Sequence, residues 1–177
     1  LTRARALFIA AIDRYSVLAY QITLLEIQKL AYFLQEAGEP LRLKHVKAQY
    51  GPYADNLNKV LETLEGHYIS GFDGERSPEK EITLSEGATA EAATFLKNEA
   101  DAQTRLDRVG RLIEGFETPY GMELLSSVHF VAVRDDARAT DADDAVAKVH
   151  NWNDRKRATM KPDHIRLAWT HLHGEGW

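Results

Sequence analysis

Cysteine is absent from all 177 residues, which excludes disulfides, thiolate zinc sites and cysteine nucleophiles. The absence fits a reducing compartment, and a cytoplasmic location is expected. No apolar run approaches the ~18 residues that a membrane-spanning helix needs. A basic excess is also missing: 22 Lys and Arg stand against 27 Asp and Glu, for a formal net charge of −5. General nucleic-acid binders present a basic face to phosphate, so direct nucleic-acid binding is not expected. The chain has no initiator Met before Leu1-Thr2-Arg3, and it reads as a piece of a longer protein.

Sequence signatures of catalysis are sparse. There is no Gly-rich phosphate loop and no GxSxG elbow, so no cofactor is expected. Ser126, Ser127 and His129 are too close along one helix for a nucleophile–base pair. They read as helix surface plus one partly buried histidine. His150 and Asp154 have a metal-compatible i, i+4 spacing, yet no third ligand stands near them, and no metal is expected. Asp135-Asp136 lies between Arg134 and Arg138, which reads as exposed loop and not as the apolar pocket that acid–base chemistry needs.

Charge is strongly segregated. Residues 62–101 carry a net charge of −7 and residues 114–147 a net charge of −6. Two acidic blocks on a mildly basic remainder point to a cationic partner or to a solvated surface.

Helical periodicity dominates the chain. Leu7, Phe8, Ala11, Ile12, Tyr15 and Ala19 form one stripe. Thr23 and Glu26 make a capping box ahead of a helix that ends at Gly38. Residues 41–50 fit a short strand or a helical turn. Gly51-Pro52 is expected to open the next helix, because proline suits a first helical position, and Leu57, Val60, Leu61 and Leu64 face inward. His67–Leu84 reads as a β-hairpin with a long, mobile loop. Further helices are expected over 88–100, with Phe95 inward, and through Leu106–Phe116. Thr118-Pro119 starts another, a Thr140/Asp143 capping box the next, and Pro162 the last. The expected fold is mainly α: a compact bundle of seven or eight helices with one small β-hairpin, winged-helix-like in part. Residues 1–177 form one domain in this reading.

Several motifs, in order, carry a resemblance. Leu24-Leu25-Glu26-Ile27-Gln28-Lys29-Leu30-Ala31-Tyr32-Phe33 followed by Gln49-Tyr50-Gly51-Pro52-Tyr53 is similar to the Gln-Lys-Leu-x-Tyr … Tyr-Gly-Pro core of SocA-like (Panacea) antitoxin domains. Leu64–Phe72 and Ile113–Leu125 resemble the C-terminal toxin-neutralising domains of DarG antitoxins, from the DarT–DarG toxin–antitoxin system. The likeness spans roughly residues 20–172. It implies a non-enzymatic domain that binds and inhibits a DarT-like DNA ADP-ribosyltransferase toxin, with a covalently linked macrodomain in the full-length protein. DarT-like toxins use NAD to modify thymidine in single-stranded DNA.

An acidic chain could occupy the toxin's DNA groove as a nucleic-acid mimic. The acids assigned to that contact are Asp73, Glu75, Glu79, Glu81, Asp135, Asp136, Asp141 and Asp144, with Tyr53 and Tyr68 as aromatic anchors. Asp141 and Asp144 would stand about 4.5 Å apart in helical rise, on the scale of backbone phosphates, whereas Asp143 reads as a cap. The alternative is a winged-helix DNA-binding regulator, with the Pro52–Leu64 helix in a groove and Lys44, Lys47 and Lys59 on phosphate. Its acidic wing argues against it. An enzyme of unrecognised class has no motif in its favour.

Overall fold

The computed structural model describes residues 1–177. Nine helices and two two-stranded antiparallel sheets follow in the order α1 (Arg3–Leu18), α2 (Leu24–Glu36), β1 (His45–Ala48), β2 (Gly51–Ala54), α3 (Leu57–Leu64), β3 (Ile69–Ser70), β4 (Thr83–Leu84), α4 (Ala88–Leu96), α5 (Ala100–Ile113), α6 (Pro119–Val133), α7 (Ala142–His150), α8 (Asp154–Thr159) and α9 (Pro162–Gly174). The mainly α fold agrees with the sequence expectation. It contains one more hairpin than expected, and α8 was not foreseen.

The middle of the molecule is a pair of helices, α2 and α6, that pack on each other. Every residue of Leu24–Leu34 and of Gly121–Val131 is buried. A helix buried all round belongs at the centre of a core. Around this pair, α1 lies on α4 and α5, and α6 carries α7 and α9 on its other flank. One apolar cluster of 45 buried residues runs from Ala6 to Leu172. Glu39, 3% exposed, is clasped by Arg3 at 2.8 Å and Arg105 at 2.7 Å, which fixes the exit of α2 against α1 and α5.

The local start signals mostly hold. The Thr23/Glu26 capping box is present, and the Thr118 side chain accepts from the Gly121 N–H ahead of Pro119. Gly38 takes a left-handed φ of 108° just past the end of α2. Three expectations fail. Gly51-Pro52 begins a strand, not a helix: β2 pairs with β1 in the register Ala48↔Gly51 to His45↔Ala54, and α3 starts only at Leu57. The side chain of Gln28 bonds both the N–H and the carbonyl of Ala54, at 3.0 Å each, so α2 holds this segment extended. The cap of α7 is Asp141, one residue later than expected. Its side chain accepts from the Asp144 N–H, and Asp144 reaches back to the Thr140 N–H, while Asp143 instead meets Arg166. Finally, Phe95 is 42% exposed, because α4 turns Ala88, Ala92 and Leu96 inward.

The long loop of the second hairpin is also tied down. β3 and β4 pair as Ile69↔Leu84, and the chain between them returns to the start of α2. The N–H groups of Leu24 and Leu25 donate to the carbonyls of Lys80 and Pro78, and the Ile82 N–H donates to Ile22. Phe72 and Ile82 are buried beneath it. This attachment replaces the free loop that its length suggests.

Candidate functional site

Polar side chains inside α2 and α6 need partners, since an unpaired buried polar group costs free energy. Most find them across the core. Lys29, 2% exposed, donates from Nζ to the Pro52 carbonyl at 2.7 Å. Glu123 accepts from Lys156 at 2.6 Å and from Arg155 at 2.8 Å. The Tyr32 hydroxyl and His129 Nδ1 are 2.7 Å apart. Ser127 Oγ is buried without a partner and faces the hairpin turn: a Cβ on Gly51 would meet it at 2.9 Å and Lys29 Nζ at 3.4 Å.

Burial governs the electrostatics here. It lowers Lys29 to about 7, helped by the neighbouring Lys156 charge and opposed by Glu123. It also lowers Lys156, against the pull of Glu123. His129 falls to about 4 through burial and the charges of Arg134 and Arg108, so its ring is neutral near pH 7. His45 falls to about 4 through burial and Lys29.

Two adjoining clefts open beside Lys29 and Glu123. The first, of about 210 Å³, lies between α2, the β1–β2 turn, α3 and the segment Arg76–Pro78. Lys29, Tyr50, Tyr53, Asn58 and Leu61 line it. The second, of about 350 Å³, is lined by Thr23, Glu79, Tyr120, Glu123 and Arg155. Leu25, Tyr50 and Pro78 border both, so the clefts adjoin along a shared wall. The Arg155 guanidinium sits 4.5 Å over the Tyr50 ring.

The residues singled out in the sequence are dispersed. Tyr53 lines the first cleft, where its hydroxyl accepts from Asn58 Nδ2 at 2.9 Å. Glu79 lines the second, accepting from the Ser77 hydroxyl at 2.7 Å. Asp73 is paired with Lys80 at 2.6 Å, which holds its carboxyl below the usual range, and it accepts from the Glu75 N–H. The backbone of Glu81 bridges to Thr23. Asp135 is paired with Lys47 at 2.7 Å and accepts from the Asp136 N–H. Asp141 and Asp144 are spent on capping α7, and Asp144 also takes Lys148 at 2.9 Å. Tyr68 stands away from both clefts, with its hydroxyl donating to Glu91 on α4.

Other assignments also change. Ser126 and Ser127 are fully buried and not helix surface, and His129 is buried with them. His150 points Nε2 at the Met160 carbonyl, 2.7 Å away. Lys47, offered as a phosphate contact, sits between Asp135 and the Trp152 ring. Sequence reasoning missed Lys29, Glu123, Arg155 and Lys156. The signal was present for the first two. Each lies in a helix whose large apolar residues fall on every face, Leu24, Leu25, Ile27, Leu30 and Phe33 in α2 and Met122, Leu124, Leu125 and Val128 in α6.

No protein-family model matches the chain. It is 44% identical over 95% of its length to a protein of Thermus aquaticus named DNA ADP-ribosyl glycohydrolase. Proteins of the same name from Mycobacterium bovis and Mycobacterium tuberculosis are 38% identical over 83% of the chain. The chain spans about half the length of these curated relatives, covering 46% of the first and 43% of the other two. That name says of these relatives that they remove ADP-ribose from DNA. It overturns the expectation of a non-enzymatic antitoxin domain that blocks a DarT-like toxin by nucleic-acid mimicry. The winged-helix regulator falls with it.

Proposed function

We propose that this chain acts in the removal of ADP-ribose from DNA, as one half of a DNA ADP-ribosyl glycohydrolase whose modified strand is held in the joined clefts around Tyr50. The carrying observation is the 44% identity across 95% of the chain to the Thermus aquaticus protein of that name. The clefts agree with it in kind. Together they are lined by three basic side chains, Lys29, Arg76 and Arg155, by the tyrosine rings Tyr50, Tyr53 and Tyr120, and by the carboxylates Glu79 and Glu123.

Hydrolysis of a glycosidic bond adds a hydroxyl to the sugar carbon and a proton to the leaving group. Positive charge builds on the sugar in the transition state. Carboxylates beside the second cleft suit that charge. Of the two, Glu79 is exposed at the cleft, whereas Glu123 is buried and already paired with Arg155 and Lys156. The chain works joined to a covalently linked macrodomain, the partner that the sequence resemblance implies.

The test uses a protein that carries this chain at the full length of its relatives. It is incubated with an ADP-ribosylated oligonucleotide, and free ADP-ribose is measured by chromatography. Release above the uncatalysed rate is expected. No release would remove the proposal.

A further inference from the structure

The first cleft has a shape and chemistry that the removal of ADP-ribose does not by itself demand. Its volume of about 210 Å³ is below the roughly 300–1,000 Å³ of ordinary ligand pockets. That volume suits a single ring system. Tyr50 and Tyr53 are both half-buried, and both have their rings held. Tyr50 carries the Arg155 guanidinium on one face, and Tyr53 is bonded through its hydroxyl to Asn58. Leu25 and Leu61 complete an apolar lining. Arg76 stands at the rim, exposed and paired with Asp55. Lys29 stands in the wall with only one of its three N–H groups spent, on Pro52.

We propose that this cleft takes one unstacked nucleotide of a single DNA strand, with its base against Tyr50 and Tyr53 and its phosphate at Arg76. The inference rests on the DNA-directed reading above and deepens it. Unstacked bases are held by aromatic faces without regard to sequence, and Arg grips phosphate through its planar fork of donors. Arg76 is available at the cost of an exposed ion pair, which contributes little. The net charge of −5 and the acidic loop beside the cleft oppose a long phosphate track. Contact is therefore confined to one or two nucleotides, and the salt dependence is shallow. One phosphate contact on a single strand gives a slope of about −0.7 in log affinity against log salt.

The probe is a single-stranded oligothymidylate carrying one 2-aminopurine, mixed with the 177-residue chain while fluorescence is read. Quenching with a shallow salt slope is expected. Tyr50→Ala combined with Tyr53→Ala weakens binding about tenfold or more, from the usual strength of base–aromatic stacking. Because those half-buried rings also support the hairpin, Arg76→Gln serves as the second variant. It sits at the surface, and it reduces the slope toward zero. Absence of quenching, or quenching unchanged in both variants, overturns the inference. Its failure is separable from failure of the functional reading. If the longer protein releases ADP-ribose but no quenching occurs, only the nucleotide site falls. If quenching is lost in the variants but no ADP-ribose is released, the site stands and the glycohydrolase reading falls.

Discussion

Lys29 Nζ donates to the Pro52 carbonyl at 2.7 Å, and that bond joins the central helix to the strand that walls the first cleft. An amine this deeply buried is costly to keep charged, and burial lowers it to about 7 in the folded chain from an ordinary 10.5. Below pH 7 the amine is charged in both folded and unfolded chains, and the burial penalty is fully present. Between about 7 and 10.5 the unfolded chain binds the additional proton, so stability rises with pH. The expected contribution is about 1 kcal/mol per pH unit in that window. Urea unfolding at pH 7 and pH 8.5 checks it, because Lys29→Met should flatten the rise. Equal pH slopes in the two proteins would contradict the assignment.

Glu123 and Lys156 form a second buried relationship, at 2.6 Å and with both side chains almost wholly enclosed. Removing one member of such a pair leaves an uncompensated charge, at a cost of about 3–5 kcal/mol. Glu123→Ala is therefore expected to lower the urea midpoint strongly. Glu123→Met combined with Lys156→Met should recover much of the loss, since hydrophobic replacement of a buried pair is often neutral. Additive losses in the double variant would show that the two charges act independently.

The cap of α7 can be read from two single substitutions. Asp141→Ala removes the side chain that accepts from the Asp144 N–H and should cost about 1 kcal/mol. Asp143→Ala breaks only an exposed pair with Arg166 and should cost less than about 0.5 kcal/mol. Thermal melts of the two variants decide the register, and a larger loss for Asp143 would restore the cap expected from the sequence.

Gly71 pins the second hairpin. Its φ is 107°, and a Cβ there would lie 2.3 Å from the Glu81 carbonyl oxygen, which is backbone and cannot swing away. Gly74, in the same loop, also has positive φ but nothing within 4 Å of a Cβ. Gly71→Ala should destabilise by about 2 kcal/mol or more and Gly74→Ala by about 1 kcal/mol. Comparable unfolding midpoints for the two variants would show that the loop does not press against Glu81.

Elements governed by neighbours in sequence were legible in the sequence. The Thr23/Glu26 box and the Thr118-Pro119 start depend on groups three or four residues apart, and both form as expected. Gly51-Pro52 obeys the same local rule for a helix start, yet it is overruled from 26 residues away by the Gln28 amide on Ala54. The site was less legible for a related reason. Charged residues in a helical pattern suggest solvent, and the 33-residue separation of Glu123 and Lys156 hides their pairing. Four of the eight acidic residues that drew attention are occupied by local work: Asp73 with Lys80, Asp135 with Lys47, and Asp141 and Asp144 with the α7 cap. Lys29, Tyr50 and Tyr53, which belong to the motifs of α2 and the β1–β2 turn, line the first cleft.

The most direct test of the account follows ADP-ribose release from a modified oligonucleotide by the protein at the full length of its relatives, comparing the native chain with Arg76→Gln and with Tyr50→Ala. Release by the native protein is expected, with a fall in kcat/KM of about tenfold in Tyr50→Ala from loss of stacking worth roughly 1–3 kcal/mol. A smaller fall is expected with Arg76→Gln, with thermal stability kept. Release at the native rate by both folded variants would contradict a role for these clefts, and no release by the native protein would contradict the function itself.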